Sequence, residues 1–208
     1  MLSNYEKLSE IWREKFMQLD QSTFARKLLG VRLEKEQVLF SYFGRNYRIN
    51  RFNGEISGES KSVPDAKLKL LFYNLFWYSK EGAKLSGHWV PFRQVKNASP
   101  FGPAFETHVL KPFARTFNGQ LANLEEAAEK LGGTKLRQGD AGYQISSFDC
   151  IPIQFLFWDG DDEFEAQANI LFDYSVTDFI HVESTVSLAS DGVARLAEEA
   201  GLQVIGNF

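Results

Sequence analysis

The run Cys150-Ile151-Pro152-Ile153-Gln154-Phe155-Leu156-Phe157-Trp158 is apolar at every position except Gln154, and Asp159-Gly160-Asp161-Asp162-Glu163-Phe164-Glu165 follows at once. Such a run suits a strand covered on both faces, with Pro152 tolerable only near its start. The acidic loop turns the chain, and residues 168–172 read as the antiparallel return strand, with 142–148 as the strand before. A buried C-terminal hairpin of this kind needs helices to cover it.

Those helices are visible on either side. Residues 66–79 carry Leu68, Leu71, Phe72, Leu75 and Phe76 on one side and Leu70, Tyr73 and Trp77 on the other, behind Pro64 in a first helical turn. A helix apolar nearly all round belongs at the centre of a core. Residues 105–117 read as a helix that Pro112 kinks or divides. Asn123 caps a further helix over 124–131, and the last helix lies within 182–200, interrupted by Gly192. At the other end Ser3 caps an amphipathic helix, and a short helix from Ser22 stops at Gly30.

Between these helices the apolar period switches to two. Val38, Phe40 and Tyr42 alternate with Leu39, Ser41 and Phe43, and the pattern resumes over 46–52 after a break at Gly44-Arg45. Asn53-Gly54 is a preferred two-residue hairpin turn, so 31–57 predicts an antiparallel meander. Residues 82–103 are rich in Gly, Ser, Asn and Pro and predict a loop with a brief strand at 89–92. The reading is one α+β domain over 1–208: N-terminal helices to 30, a core of meander, hairpin and helices to about 179, and a C-terminal helix.

The chain of 208 residues has 23 Lys and Arg against 27 Asp and Glu, a net charge of −4 that provides no general attraction to phosphate backbones or anionic membranes. Arg45, Arg48 and Arg51 share the meander with aromatics, but Arg48 points opposite to the other two, so no basic nucleic-acid face forms. One cysteine, Cys150, excludes an intramolecular disulfide and a multi-thiolate metal site. The first twenty residues are charged throughout, which predicts no signal peptide and a cytoplasmic location.

Two segments combine polar groups, aromatics and glycine. The acidic loop offers Asp159, Asp161, Asp162 and Glu163 beside Trp158, oxygens suited to a hard cation, with Asp173 as a further ligand. The spacing is not that of the familiar calcium loop, and a solvated hairpin tip is the alternative reading. The other segment is Gly87-His88-Trp89-Val90-Pro91-Phe92-Arg93, where His88, Trp89 and Arg93 suit an anionic or planar ligand, the alternative being aromatics that plug the core. Neither a nucleophile elbow nor a phosphate-binding glycine loop occurs, so no catalytic residue is assigned and the residues name no cofactor.

Trp158-Asp159-Gly160-Asp161-Asp162-Glu163-Phe164, followed by Ala166 and by Ile170-Leu171-Phe172-Asp173, resembles the hairpin of domain-of-unknown-function family 3786. The likeness extends to Leu70-Leu71, to Gly87, Trp89 and Phe92-Arg93, and to Leu110-Lys111-Pro112 ahead of Phe117. It implies a protein of anaerobic bacteria or archaea, in a family with no established activity. Some members resemble fusions to an iron–sulfur module of the corrinoid type, which implies a setting in anaerobic one-carbon or corrinoid metabolism. This chain has no such module, and it has Lys96-Asn97-Ala98-Ser99 where the family tends to a glycine pair. The resulting expectation is a non-catalytic small-ligand-binding or accessory domain, its pocket between the Gly87 loop and the acidic hairpin. A protein–protein interaction module and a metal-dependent hydrolase using Asp159, Asp161, Asp162 and Asp173 are the alternatives.

Overall fold

A computed structural model of the chain describes residues 3–59 and 62–206. Met1, Leu2, Ser60, Lys61, Asn207 and Phe208, which the single-domain reading includes, lie outside the described residues.

Two antiparallel sheets and the helices around them make the α+β architecture. The first sheet is the meander, β1 (Arg32–Leu33), β2 (Gln37–Tyr42), β3 (Arg45–Asn50) and β4 (Ile56–Gly58), in sequential order. The second has the order β5-β9-β8-β7-β6, from β5 (Trp89–Pro91), β6 (Thr134–Lys135), β7 (Ala141–Phe148), β8 (Ile151–Trp158) and β9 (Gln167–Asp173). β8 sits at its centre and is buried at every position but Trp158, as an uninterrupted apolar run requires.

The sheets meet at the β2–β3 turn. Tyr42 pairs with Arg45, so Phe43 and Gly44 are the two turn residues, with φ of 43° and 76°. A left-handed residue other than glycine costs about 1–2 kcal/mol. Phe43 offsets this by burying its ring, worth about 1.5–3 kcal/mol, and by donating its N–H to the Ser147 carbonyl at 2.8 Å. That carbonyl is available because the β7–β8 register shifts between Ser146 and Phe148, a bulge that turns Ser147 out of the ladder. Asp149, in the turn after β7, accepts from the Ser41 hydroxyl at 2.8 Å and lies against Gly30, where a Cβ would fall 2.0 Å from Asp149 Oδ2. The glycine that ends the N-terminal helical segment is thus also the seat of the second sheet.

The helices cover this joint. α1 (Asn4–Met17) has the Ser3 and Glu6 capping box and packs on α3 (Ala66–Tyr78) through Trp12 and Phe16. α2 (Phe24–Lys27) follows a single 3₁₀ turn. α7 (Val182–Glu199) runs unbroken through Gly192, contrary to the expected interruption. Glycine is there for space: a Cβ would come within 2.4 Å of Phe155 Cζ and 3.0 Å of Phe43 Cζ. One contiguous apolar core runs from Phe16 to Ala197.

Other expectations shift by a few residues for local reasons. The second meander turn lies over 51–54, not at Asn53-Gly54 alone, because Asn50 Oδ1 accepts the N–H groups of Phe52 and Asn53 and stops β3. Asp65 caps α3, accepting from Leu68 N–H at 2.8 Å, so Pro64 stands before the cap and not in the first helical turn. α6 spans Leu121–Lys130, so Asn123 sits inside it and not at its cap. Pro112 does not divide its helix. α4 (Gly102–Phe105), a π-helical turn (Glu106–Leu110) and α5 (Lys111–Phe117) are continuous, and the π turn stands directly before the proline that has no N–H to return. Among the described residues no helix is long and apolar enough to cross a membrane.

Gly192→Ala should lower unfolding stability by about 1–3 kcal/mol in a urea titration. Gly102→Ala, where a Cβ meets nothing, should stay within about 0.5 kcal/mol of wild type or exceed it. Equal effects at the two positions would refute the close packing of α7.

Candidate functional site

Register decides which of the candidate residues share a place. Trp158 pairs with Gln167 at one end of β9, and Trp89 pairs with Asp173 at the other. Six residues of strand, about 20 Å, separate the acidic hairpin from Asp173 and His88. The expected site therefore divides into three parts.

At the hairpin tip the carboxylates shape the turn. Asp161 accepts the N–H groups of Glu163 and Phe164, each at 2.8 Å, and these two bonds hold its carboxyl below the usual aspartate range. Asp159 accepts from Gly119 N–H at 2.7 Å and so ties the hairpin to the turn after α5. Asp162 and Glu163 are exposed. Among the described residues no group of three or more His, Cys, Asp or Glu stands close enough together to hold a metal ion.

At the opposite end Asp173 is buried and organises the Gly87 loop. Its carboxylate accepts from the N–H and hydroxyl of Ser86 (3.0 and 2.8 Å), from Gly87 N–H (2.8 Å), and from the N–H and hydroxyl of Ser175 (2.9 and 2.5 Å). Burial raises its pKa, and these bonds more than reverse that, leaving the carboxyl below its ordinary value. Gly87 has φ of 73°, and His88 is exposed with its ring against Tyr174 at 5.7 Å. Trp89 is half-buried on the edge strand.

Between these ends lies a cleft of about 860 Å³. β5 ends at Pro91, which pairs with Leu171, and the chain then turns away as Phe92 stacks on Phe105, centroids 4.0 Å apart and planes 8° apart. The first half of β9 is left without a neighbour on that side, and the cleft opens there. Arg93 and the helix from Gly102 to Ala114 form one wall; Trp158 and residues 165–169 form the other. Arg93 and Lys111 are exposed and form no ion pair among the described residues, and Trp158 is 38% exposed. Glu106 and Glu165 stand on the same rim. Of the nine residues picked from sequence, the cleft takes Arg93 and Trp158. Lys111, Gln167 and Asn169 were missed, because nothing in their spacing marks a helix face and a strand edge as facing walls.

A second cleft, of about 660 Å³, lies between the meander, the start of α3 and the outer face of α7. Burial pushes the carboxyl of Asp191 in its wall up to about 6, although a hydrogen bond from the Tyr42 hydroxyl at 2.6 Å acts the other way. Cys150 is buried and pushed up to about 12 by that burial, the state of an inert thiol.

The family model described as Domain of unknown function (DUF3786) matches residues 22–195, and the chain belongs to that family. No curated protein and no solved structure matches it. Both clefts are built largely from the matched residues, whereas α1 lies outside them.

Asp173→Asn should cost about 2–3 kcal/mol near neutral pH, since an amide cannot accept the same set of donors. The carboxylate is stabilising above the ordinary aspartate pKa of about 4, and its contribution fades as pH falls through the lower folded value. The gap between wild type and variant in denaturant midpoint should therefore narrow from pH 5 towards pH 3; a constant gap would contradict the clamp.

Proposed function

We propose that the chain is a non-catalytic small-ligand-binding or accessory domain whose ligand occupies the cleft between the Pro91–Arg93 segment and the acidic hairpin. The observation that carries this is the convergence of Arg93, Lys111 and Trp158, free of partners among the described residues, on one concave space. Its volume falls in the range of about 300–1,000 Å³ typical of small-molecule sites. An indole supplies a face for a planar ring, and the two cations suit an anionic substituent. Glu106 and Glu165 on the rim disfavour a polyanion, so the ligand is a planar molecule of low negative charge. The finer setting, anaerobic one-carbon or corrinoid metabolism, is supported by the family resemblance, and a cytoplasmic location by the single cysteine; a whole corrinoid would project beyond a cleft of this size.

A second reading, a protein–protein interaction module, is favoured by Phe164, 66% exposed at the tip of the hairpin that also carries Trp158. A stoichiometric protein partner captured with no small molecule bound would select it.

A panel of corrinoids, nucleotides and divalent metals screened by thermal shift tests the ligand reading. A bound ligand should slow hydrogen exchange in 91–93 and 165–169 together. Arg93→Ala and Trp158→Ala should weaken it by about tenfold to a hundredfold while leaving the unliganded melting temperature in place. No shift across the panel would count decisively against the proposal.

A further inference from the structure

The second cleft holds a carboxylate that forms no ion pair among the described residues, although Lys67 lies near enough to draw its pKa down and Asp65 near enough to push it up. Asp191 is half-buried between the meander and α7, and among the described residues its one hydrogen-bond partner is the neutral hydroxyl of Tyr42. Carboxylates removed from water are ordinarily paired, because an uncompensated one is costly. The cations that line the cleft make their close contacts with other groups, while Arg195 Nε is buried with no hydrogen-bond partner among the described residues. Arg195, one turn further along α7, directs its terminal nitrogens to Glu198 and Glu199 at 2.5 and 2.8 Å. Arg45 also pairs with Glu198, and the Lys67 ammonium lies over the Tyr5 ring, 5.3 Å from its centroid.

What remains is a roomy cleft with an acceptor in its wall and aromatic surface beside it. Tyr47, stacked on Phe40, lines the same wall as Tyr42. A carboxylate beside the half-buried ring of Tyr47 suits a positively charged nitrogen, through a charge-assisted hydrogen bond and through attraction to that ring. We propose that this cleft binds a small organic cation, a primary amine or a guanidine, whose charge is received by Asp191. The site is separate from the cleft at Arg93: the π-helical turn divides them, with Glu106 and Leu110 facing one and His108 and Val109 facing the other. Burial has raised the carboxyl's pKa, so the cation meets an ionised partner most fully above about pH 6.

The experiment uses the full chain, wild type and Asp191→Asn, at pH 8 and constant ionic strength, with putrescine, agmatine and tyramine as probes in thermal shift and calorimetry. At least one probe should give a saturable rise in melting temperature in wild type and bind Asp191→Asn about tenfold to a hundredfold more weakly. Glu183→Gln, which removes a charge from the rim of the same cleft, should keep the wild-type response. Without probe, Asp191→Asn should melt at or above wild type, because a desolvated charge has been removed. A flat response to all three probes, or an equal response in Asp191→Asn, overturns the proposal. So does an unliganded Asp191→Asn that melts clearly below wild type, which would mean that the carboxylate already has its partner within the chain.

Discussion

The backbone hydrogen bond from Phe43 to Ser147 is the joint on which the two sheets turn. It needs three accommodations at once: an aromatic residue in the left-handed region, a bulge that frees the Ser147 carbonyl, and a helix position without a Cβ at Gly192. Each is mildly unfavourable alone. Together they bury Phe43 and bring Phe148 against Tyr42 and Phe72, so the cost of the turn is met by tertiary packing rather than by local preference.

The clefts follow from that joint. Because the meander is held against β7, Tyr42 faces α7 and meets Asp191. The second sheet, fixed at one corner, extends β9 away from the joint, and β5 covers only its last three residues. The open stretch becomes a ligand-sized hollow because α4, the π-helical turn and α5 pass across it as one continuous helix. Asp173 then secures the far end of β9 with five hydrogen bonds, three from the Gly87 loop and two from Ser175. A residue that reads in sequence as a spare cation ligand has its oxygens occupied by backbone and serine donors.

Much of the fold is legible in the chain because it is written in periodicity. The buried run of β8, the all-round apolar α3 and the alternation of β2 need no tertiary information. The Asn50 turn, the start of α6 at Leu121 and the π turn before Pro112 involve side-chain acceptors or missing donors whose effect depends on where the chain goes next. The Phe43-Gly44 turn was the least legible, since a buried phenylalanine at positive φ is specified by Ser147 and Gly192, more than a hundred residues away. The same distance hid the second cleft. Asp191 lies three residues after the buried Leu188, at the margin of the apolar stripe of α7, and only the folded chain shows that it meets a tyrosine in the wall of a cleft.

The acidic hairpin drew attention because its charge is dense, but dense exposed charge is weak evidence of chemistry, and its best-placed carboxylates shape the loop. Arg93, Lys111 and Trp158 come from three separate segments and are informative because they are exposed, unpaired and convergent. The whole arrangement rests on the two sheets behaving as one cooperative unit, which the exchange rate of the Phe43 amide hydrogen measures directly. If the joint is as described, that hydrogen exchanges only through global unfolding, with the same protection as the amides of central β8. Exchange at the rate of an exposed turn, while β8 stays protected, would show that the sheets part independently and would contradict the account.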